Sequence, residues 1–197
     1  GRTKLEAEKI YQNWYETNDD LALTIIRPTV VFGEMNRGNV FNLFNQIRRP
    51  NFPMIGRGDN IKSMAYVDNL ADFVSYSINL KQGLHIYNYI DKPDLKIREL
   101  IEISRKSMNL RSKPIITVPY FLAIICGYIF DFLSFLLRKN FSISSIRIKK
   151  FCSDSQFNSS VSKTGFKPRY SLEDAIEKTV KYEFIDKKNE EITFISE

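Results

Sequence analysis

RPTVVFG (Arg27–Gly33) and, further on, KSMAYVDNLADF (Lys62–Phe73) decide the fold of this 197-residue chain. LALTII leads into the first with Ile25 and Ile26 apolar in succession, as in a strand covered on both faces. Gly33 ends it in a turn that a glycine permits. The second stretch reads as a short strand, SMAYV, delivered into a helix capped by Asp68, whose inner face is Leu70, Phe73, Val74 and Ile78.

Working outward, the chain opens GRTKLEAEKI, a helix already under way with no initiating Met, so we expect the parent protein to continue upstream of Gly1. Ala7, Ile10, Tyr11 and Trp14 recur at helical spacing and predict a helix to about Thr17 with one buried face; Asn18–Asp20 breaks it. Val40, Leu43, Phe44 and Ile47 mark a second helix, closed by RRPNFP. PMIGRGD reads as a short strand and glycine-rich turn, and HIYNYI (His85–Ile90) as another strand. Beyond Pro93-Asp94 a helix uses Ile97, Leu100, Ile101, Ser104 and Met108; PIITVP is a strand. The last helix starts at Ser171, with Asp174 in a capping-box position and Leu172, Ala175, Ile176 and Val180 as its apolar face. The tail from Lys187 is charged and is expected to fray. This alternation is α/β, more irregular toward its end.

Composition narrows the function classes. Apolar residues at 43% supply a packed core, so the chain is no disordered polymer. A single His85 and two distant cysteines, Cys126 and Cys152, give no metal-ligand spacing and fit reduced thiols in the cytoplasm. The net charge of +6 is diffuse, with RIKK (Arg147–Lys150) as its densest run; no nucleic-acid motif accompanies it. Such a balance suits a solvated surface, anionic small molecules or a membrane surface.

One apolar segment, Ile115–Leu137, is about long enough to cross a bilayer, which takes ~20 residues. Asp131 sits inside it, and Pro119 and Gly127 interrupt it; Pro119 opens its helix. Three readings stand: a buried or dimer-facing helix, one that lies on a membrane surface, and a true span.

RPTVVFG, IGRGDNIKSMAYVDNLA and the SKTGFKPRYSLEDAI ending together resemble the NAD-dependent epimerase/dehydratase family of extended short-chain dehydrogenases/reductases, which act on nucleotide-activated sugars. The resemblance runs from Gly1 to about Tyr182 and covers the C-terminal portion of that family's pattern. It implies the C-terminal part of a Rossmann-like doubly wound parallel sheet, over residues 1–90 with a substrate-domain insert at about 34–63. A smaller, mostly helical substrate-binding region at 91–185 and a charged tail at 186–197 would follow.

The resemblance also implies site residues. Lys4 stands where the family carries the Lys of a Tyr-x-x-x-Lys pair, its Tyr falling immediately before Gly1. Residues four apart share a helix face, so the ammonium lowers the phenol's pKa while holding the nicotinamide ribose hydroxyls. Read without the family, Lys4 is an exposed helix lysine pairing with Glu8. Pro28, Thr29 and Val30 match the strand end that contacts the nicotinamide of NAD or NADP. Asn39 falls where relatives set an amide against the substrate, or is a helix N-cap. Lys62 stands where many relatives grip the diphosphate with Arg, and a lysine offers a point charge instead of a fork. Arg147 is a second diphosphate candidate, or a surface arginine. Tyr66 and Asp68 read as structural.

A Gly-x-x-Gly-x-x-Gly turn, which seats a cofactor pyrophosphate on a helix N-terminus, does not occur among the eight glycines. These residues alone are therefore expected to be inactive and to bind NAD weakly. For the parent, the resemblance implies a nucleotide-sugar epimerase of surface-polysaccharide synthesis on a UDP-hexose or UDP-N-acetylhexosamine. A 4-keto-sugar reductase or dehydratase is the alternative, and a non-catalytic remnant or a membrane-surface interaction domain the alternative of another class. The expected partners are a nucleotide sugar, a second copy of the parent and a membrane surface, with no nucleic acid; the expected site is the cytoplasm, peripheral to the inner membrane.

Overall fold

The computed structural model describes residues 1–18, 20–110, 116–139, 141 and 143–186. Two compact units divide the chain, each discontinuous in sequence: Gly1–Gly33, Ser63–Pro93 and Phe157–Leu172 form the first, and Glu34–Lys62, Asp94–Gln156 and the remainder from Glu173 the second.

The first unit is built on parallel strands. β1 (Ala22–Pro28) pairs with β5 (Gly83–Tyr89) from Ala22 opposite Gly83 to Pro28 opposite Tyr89. β2 (Val30–Phe32) pairs with β4 (Ile61–Tyr66), setting Val30 beside Met64 and Phe32 beside Tyr66. The sheet order β2-β4-β6 adds β6 (Asp91–Lys96), a strand that the sequence reading did not assign. Parallel strands need crossovers, and α3 (Val67–Ser77) supplies the one between β4 and β5. Its core face is Phe73, buried among Ala65, Tyr89 and Val161, with Leu70 and Phe166 packed alongside. The Phe73 ring lies 5.2 Å from Phe166, 5.3 Å from Tyr89 and 5.4 Å from Tyr87. Val74 and Ile78, expected on the same face, are 46% and 78% exposed, because the buried stripe of this short helix is only one residue wide past Phe73.

Three further local expectations are corrected. Asp68 does not cap α3: Tyr66 is the cap residue, and Asp68 sits in the first turn accepting the Tyr66 hydroxyl at 3.0 Å. Gly33 has no left-handed backbone to excuse it; it is buried, and a Cβ there would lie 2.3 Å from Val67 Cγ1. Close packing, not turn geometry, requires that glycine. Helix α1 (Arg2–Glu16) forms as expected, yet it buries no residue, and Ile10, Tyr11 and Trp14 are all exposed. Its apolar face is real but has no cover among the described residues.

In the second unit, α2 (Asn39–Ile47) buries Val40, Phe44 and Ile47. The two-residue strands β3 (Met54–Ile55) and β7 (Thr117–Val118) pair in parallel; Pro114 and Ile115 of the expected PIITVP strand lie outside the described residues, as does the tail from Lys187. α4 (Ile97–Ser107) buries Ile97, Leu100, Ile101 and Ser104, and its Glu99 carboxylate returns to accept the Lys96 N–H at 2.8 Å. α5 (Tyr120–Leu137) and α6 (Ser145–Cys152) follow. α7 (Leu172–Phe184) closes the described chain with Ala175, Ile176 and Val180 buried, as its spacing predicted. Glu183 of α7, its side chain 4% exposed, accepts the Met35 N–H at 2.7 Å and anchors the segment leading into α2.

Candidate functional site

Open parallel sheets place ligands at the carboxyl ends of their strands. In the first unit that end of β1 is Pro28, followed by Thr29 and Val30, the residues singled out from sequence. The Thr29 N–H donates to the Tyr89 carbonyl at 3.3 Å and so stitches the end of β1 to the end of β5. Its hydroxyl is different: Oγ1 is buried and has no hydrogen-bond partner among the described residues. A buried hydroxyl without a partner costs about 1–3 kcal/mol, so it marks a place where a ligand's polar atom would be welcome. Pro28 and Val30 on either side are exposed and offer an apolar rim. The residues present thus fit a nicotinamide amide beside the strand end.

Lys4 lies on the exposed surface of α1, and no ionic or hydrogen-bond partner holds it among the described residues. Glu8, its expected partner, is taken by Arg27 instead. The Arg27 Nε lies 3.0 and 3.1 Å from the two Glu8 carboxylate oxygens, and Nη2 also donates to Oε2. This contact holds the Glu8 carboxyl below the ordinary carboxylate range. The first residue of RPTVVFG therefore anchors the helix that carries Lys4, one turn beyond it, and leaves the ammonium unspent. That pairing was legible only as an arginine of opposite charge to Glu8; its partner depends on how α1 lies along β1.

Beneath the strand ends sits a polar cluster that sequence reasoning missed. Asp91, 3% exposed, accepts the Tyr66 N–H at 2.6 Å, the Asn69 amide at 3.1 Å and the Tyr89 hydroxyl at 3.1 Å. Asn69 also donates to the Tyr170 carbonyl at 2.9 Å and accepts the Tyr170 N–H at 3.0 Å. Burial pushes the Asp91 carboxyl up, against the pull of its three donors, and pushes the Tyr89 phenol well up as well. A phenol so raised is no base. The cluster's work is positional: it locks the start of α3 to the ends of β4 and β5. The signal available in sequence was an acid set directly after the apolar run YNYI.

The residues expected from sequence to hold the substrate lie in the second unit. The Lys62 ammonium donates to the Lys150 carbonyl at 2.9 Å, the Ser153 carbonyl at 2.6 Å and the Ser155 hydroxyl at 3.4 Å. It thus occupies the carbonyl end of α6, where a cation is favoured, and burial lowers its pKa. All three of its N–H groups are committed here, so Lys62 acts as a strut for α6. Arg147 is exposed on that same helix, with its N–H on Ser144 Oγ at 3.3 Å. The structure therefore brings Lys62 and the helix of Arg147 together. Asn39 is exposed in the first turn of α2; the N-cap is Gly38, whose N–H is bonded by Asn36 Oδ1 at 3.1 Å, so Asn39 is not the cap. A groove of about 560 Å³ runs between the turn of residues 55–60 and Tyr120, Lys149, Cys152 and Ser153. Arg98 fixes that turn by donating to the Arg57 carbonyl from Nε at 3.2 Å and Nη2 at 2.5 Å. Burial pushes the Cys152 thiol up, away from nucleophilic use.

No family model matches the chain. It is similar to the N-acetyl-alpha-D-glucosaminyl-diphospho-ditrans,octacis-undecaprenol 4-epimerase of Escherichia coli O157:H7, 44% identical over 200 residues, spanning all of this chain and 60% of that protein. Among solved structures it resembles the UDP-glucuronic acid 4-epimerase of Bacillus cereus in complex with NAD, with a TM-score of 0.57 at 16% identity over 92% of this chain and 51% of the other. It also resembles the UDP-glucose 4-epimerase of Thermotoga maritima with UDP-glucose, with a TM-score of 0.55 at 15% identity over 90% and 50% of the two chains. The chain thus spans a little over half the length of these relatives. By sequence the chain matches 60% of the length of that 4-epimerase, and it shares its fold with the NAD-bound and UDP-glucose-bound 4-epimerase structures over about half of theirs.

Proposed function

We propose that the chain is the portion of an NAD(P)-dependent 4-epimerase that receives the nicotinamide and the sugar, acting on an N-acetylhexosamine carried on a diphosphate. The carrying observation is the 44% identity along the whole chain to an epimerase named for a diphospho-undecaprenol-linked substrate. The parent then works in surface-polysaccharide synthesis, in the cytoplasm and peripheral to the inner membrane, as a homodimer. The uncovered apolar face of α1 supports a second copy there.

In this reading Lys4 holds the nicotinamide ribose and keeps a neighbouring phenol acidic, a role its unpartnered ammonium suits. Thr29 gives its spare hydroxyl to the nicotinamide amide, between Pro28 and Val30. The cofactor, when bound, supplies a reversible acceptor for hydride. Asn39 and Arg147 are assigned to the sugar diphosphate. Lys62, whose donors are spent on α6, contributes by placing that helix. The Asp91 cluster keeps the strand ends rigid, so that these groups meet a ligand in fixed geometry.

The test is to incubate the full-length parent and NAD with N-acetylglucosamine linked to diphosphoundecaprenol and, separately, to UDP. Interconversion at C4 on the lipid carrier supports the reading. Reduction or dehydration products, or no turnover on either carrier, would replace it with the reductase, dehydratase or remnant alternatives.

A further inference from the structure

We propose that α5 is a membrane-docking helix that lies in the plane of an anionic phospholipid surface. This deepens the peripheral-membrane part of the reading above and rests on none of its chemistry. The 18 residues of α5 have a mean hydropathy of 2.0, yet only 11% of them are buried. Phe121, Phe132, Phe135 and Leu136 are 60%, 64%, 82% and 63% exposed. Such a helix is neither a core element nor the one-sided stripe that a globular neighbour would cover.

The surface it does cover is small and specific. Ala123 and Gly127 are its buried residues, and a Cβ on Gly127 would lie 2.8 Å from the Ser145 Cα. α5 and α6 therefore touch backbone to backbone at the middle of α5. One turn on, Asp131, the sole acid of α5, turns inward: its carboxylate oxygens accept the Ser145 N–H at 3.2 and 3.4 Å, at the start of α6. The charge that would oppose insertion is thereby taken off the outer face.

The same contact decides between crossing and lying. Lys149 of α6 donates to the Tyr128 hydroxyl at 2.9 Å, and its ammonium stands 5.1 Å above that ring. Tyr128 is the midpoint of α5, so a crossing helix would carry a lysine, with the rest of α6, to the bilayer centre. A helix lying in the interface instead leaves Lys149 at head-group depth, where a cation over tyrosine is at home. Charge completes the match. Between Tyr120 and Ser153 the sequence has five cations, Arg138, Lys139, Arg147, Lys149 and Lys150, against Asp131 alone. An anionic lipid surface is the occupant that takes both the apolar face and its basic margin.

The experiment is flotation of the full-length protein with vesicles rich in phosphatidylglycerol and with pure phosphatidylcholine vesicles. Binding to the anionic vesicles that weakens with salt is expected. Phe132→Glu/Phe135→Glu/Leu136→Glu, shown folded by circular dichroism, should reduce bound protein about tenfold or more, whereas Ile10→Glu/Tyr11→Glu on α1 should not. A tryptophan at Phe132, in a Trp14→Phe background, should be quenched by lipids brominated near the head group and not by those brominated near the bilayer centre. Wild-type protein that stays in solution, or a triple variant that floats like wild type, would overturn the proposal. So would quenching strongest at the centre, or a dimer held through α5 that the triple variant dissociates while neither form floats. Turnover is not read in any arm, so a failure here leaves the epimerase reading standing.

Discussion

Replacing Asp91 by Ala removes the acceptor at the centre of the first unit. Three donors then lose their partner: the Tyr66 N–H, the Asn69 amide and the Tyr89 hydroxyl, at 2.6, 3.1 and 3.1 Å. All belong to buried residues, and the site is 3% exposed. Each stranded donor costs about 1–3 kcal/mol, but a water admitted to the vacated volume can serve one or two of them. The expected loss is therefore about 3–5 kcal/mol, a large share of a domain's stability. Urea unfolding followed by Trp14 fluorescence is suited to it, because the single tryptophan lies on α1 of the same unit. A loss below about 1 kcal/mol, the value of one ordinary hydrogen bond, would refute the view that Asp91 holds the strand ends. Asp91→Asn adds a pH signature. The carboxyl is raised in the folded state by burial, so folding takes up a proton, and this group's contribution to stability falls as pH rises from the ordinary carboxylate range through the raised value. The amide should remove that slope.

Other outcomes follow from the same structure. Gly33→Ala, whose Cβ would meet Val67 Cγ1 at 2.3 Å, should destabilise by about 1–3 kcal/mol, with partial recovery when Val67→Ala is added; a neutral Gly33→Ala in thermal melts would contradict the packing argument. Lys62→Ala should cost about 1–2 kcal/mol through the exposed end of α6, and Lys62→Arg should not restore it fully, since a planar fork fits three diverging acceptors poorly; unchanged melting of the alanine variant would return Lys62 to the diphosphate. The Glu8–Arg27 pair should support α1 at neutral pH and fail as pH drops through the depressed Glu8 value, so the Glu8→Gln melting difference should vanish in acid; a constant difference would deny the pair a role. Isothermal titration of these 197 residues alone should show no micromolar NAD affinity, and finding it would show that the missing glycine-rich turn is dispensable here.

The strands and helices were legible because their signals are local. Successive Ile25 and Ile26, and the spacing of Ile97, Leu100, Ile101 and Ser104, report burial wherever the rest of the chain lies. Faces proved harder. Ile10, Tyr11 and Trp14 have helical spacing, but spacing reveals an apolar stripe and not what covers it. The same limit applied to α5, whose composition suited a core helix until its exposure was known. Asp91 was missed because a buried acid has no periodic signature; its partners come from residues 66, 69 and 89. Lys62 was matched by position to a phosphate-gripping arginine, while the α6 carbonyls that claim it sit some ninety residues away in sequence. The roles of Lys4 and Thr29 rest on the resemblance, and among the described residues the Lys4 ammonium and the buried Thr29 hydroxyl have no partner.

The central claim is tested most directly by replacing Lys4 with Met in the full-length parent and following C4 epimerisation of N-acetylglucosaminyl-diphosphoundecaprenol with NAD. The account predicts conversion to the 4-epimer by the wild type, and a loss of about 100-fold or more in kcat for Lys4→Met, the scale of acid–base assistance, with the fold intact by circular dichroism. Wild-type turnover that survives in Lys4→Met within a few-fold, or a wild type that never inverts C4, would contradict it.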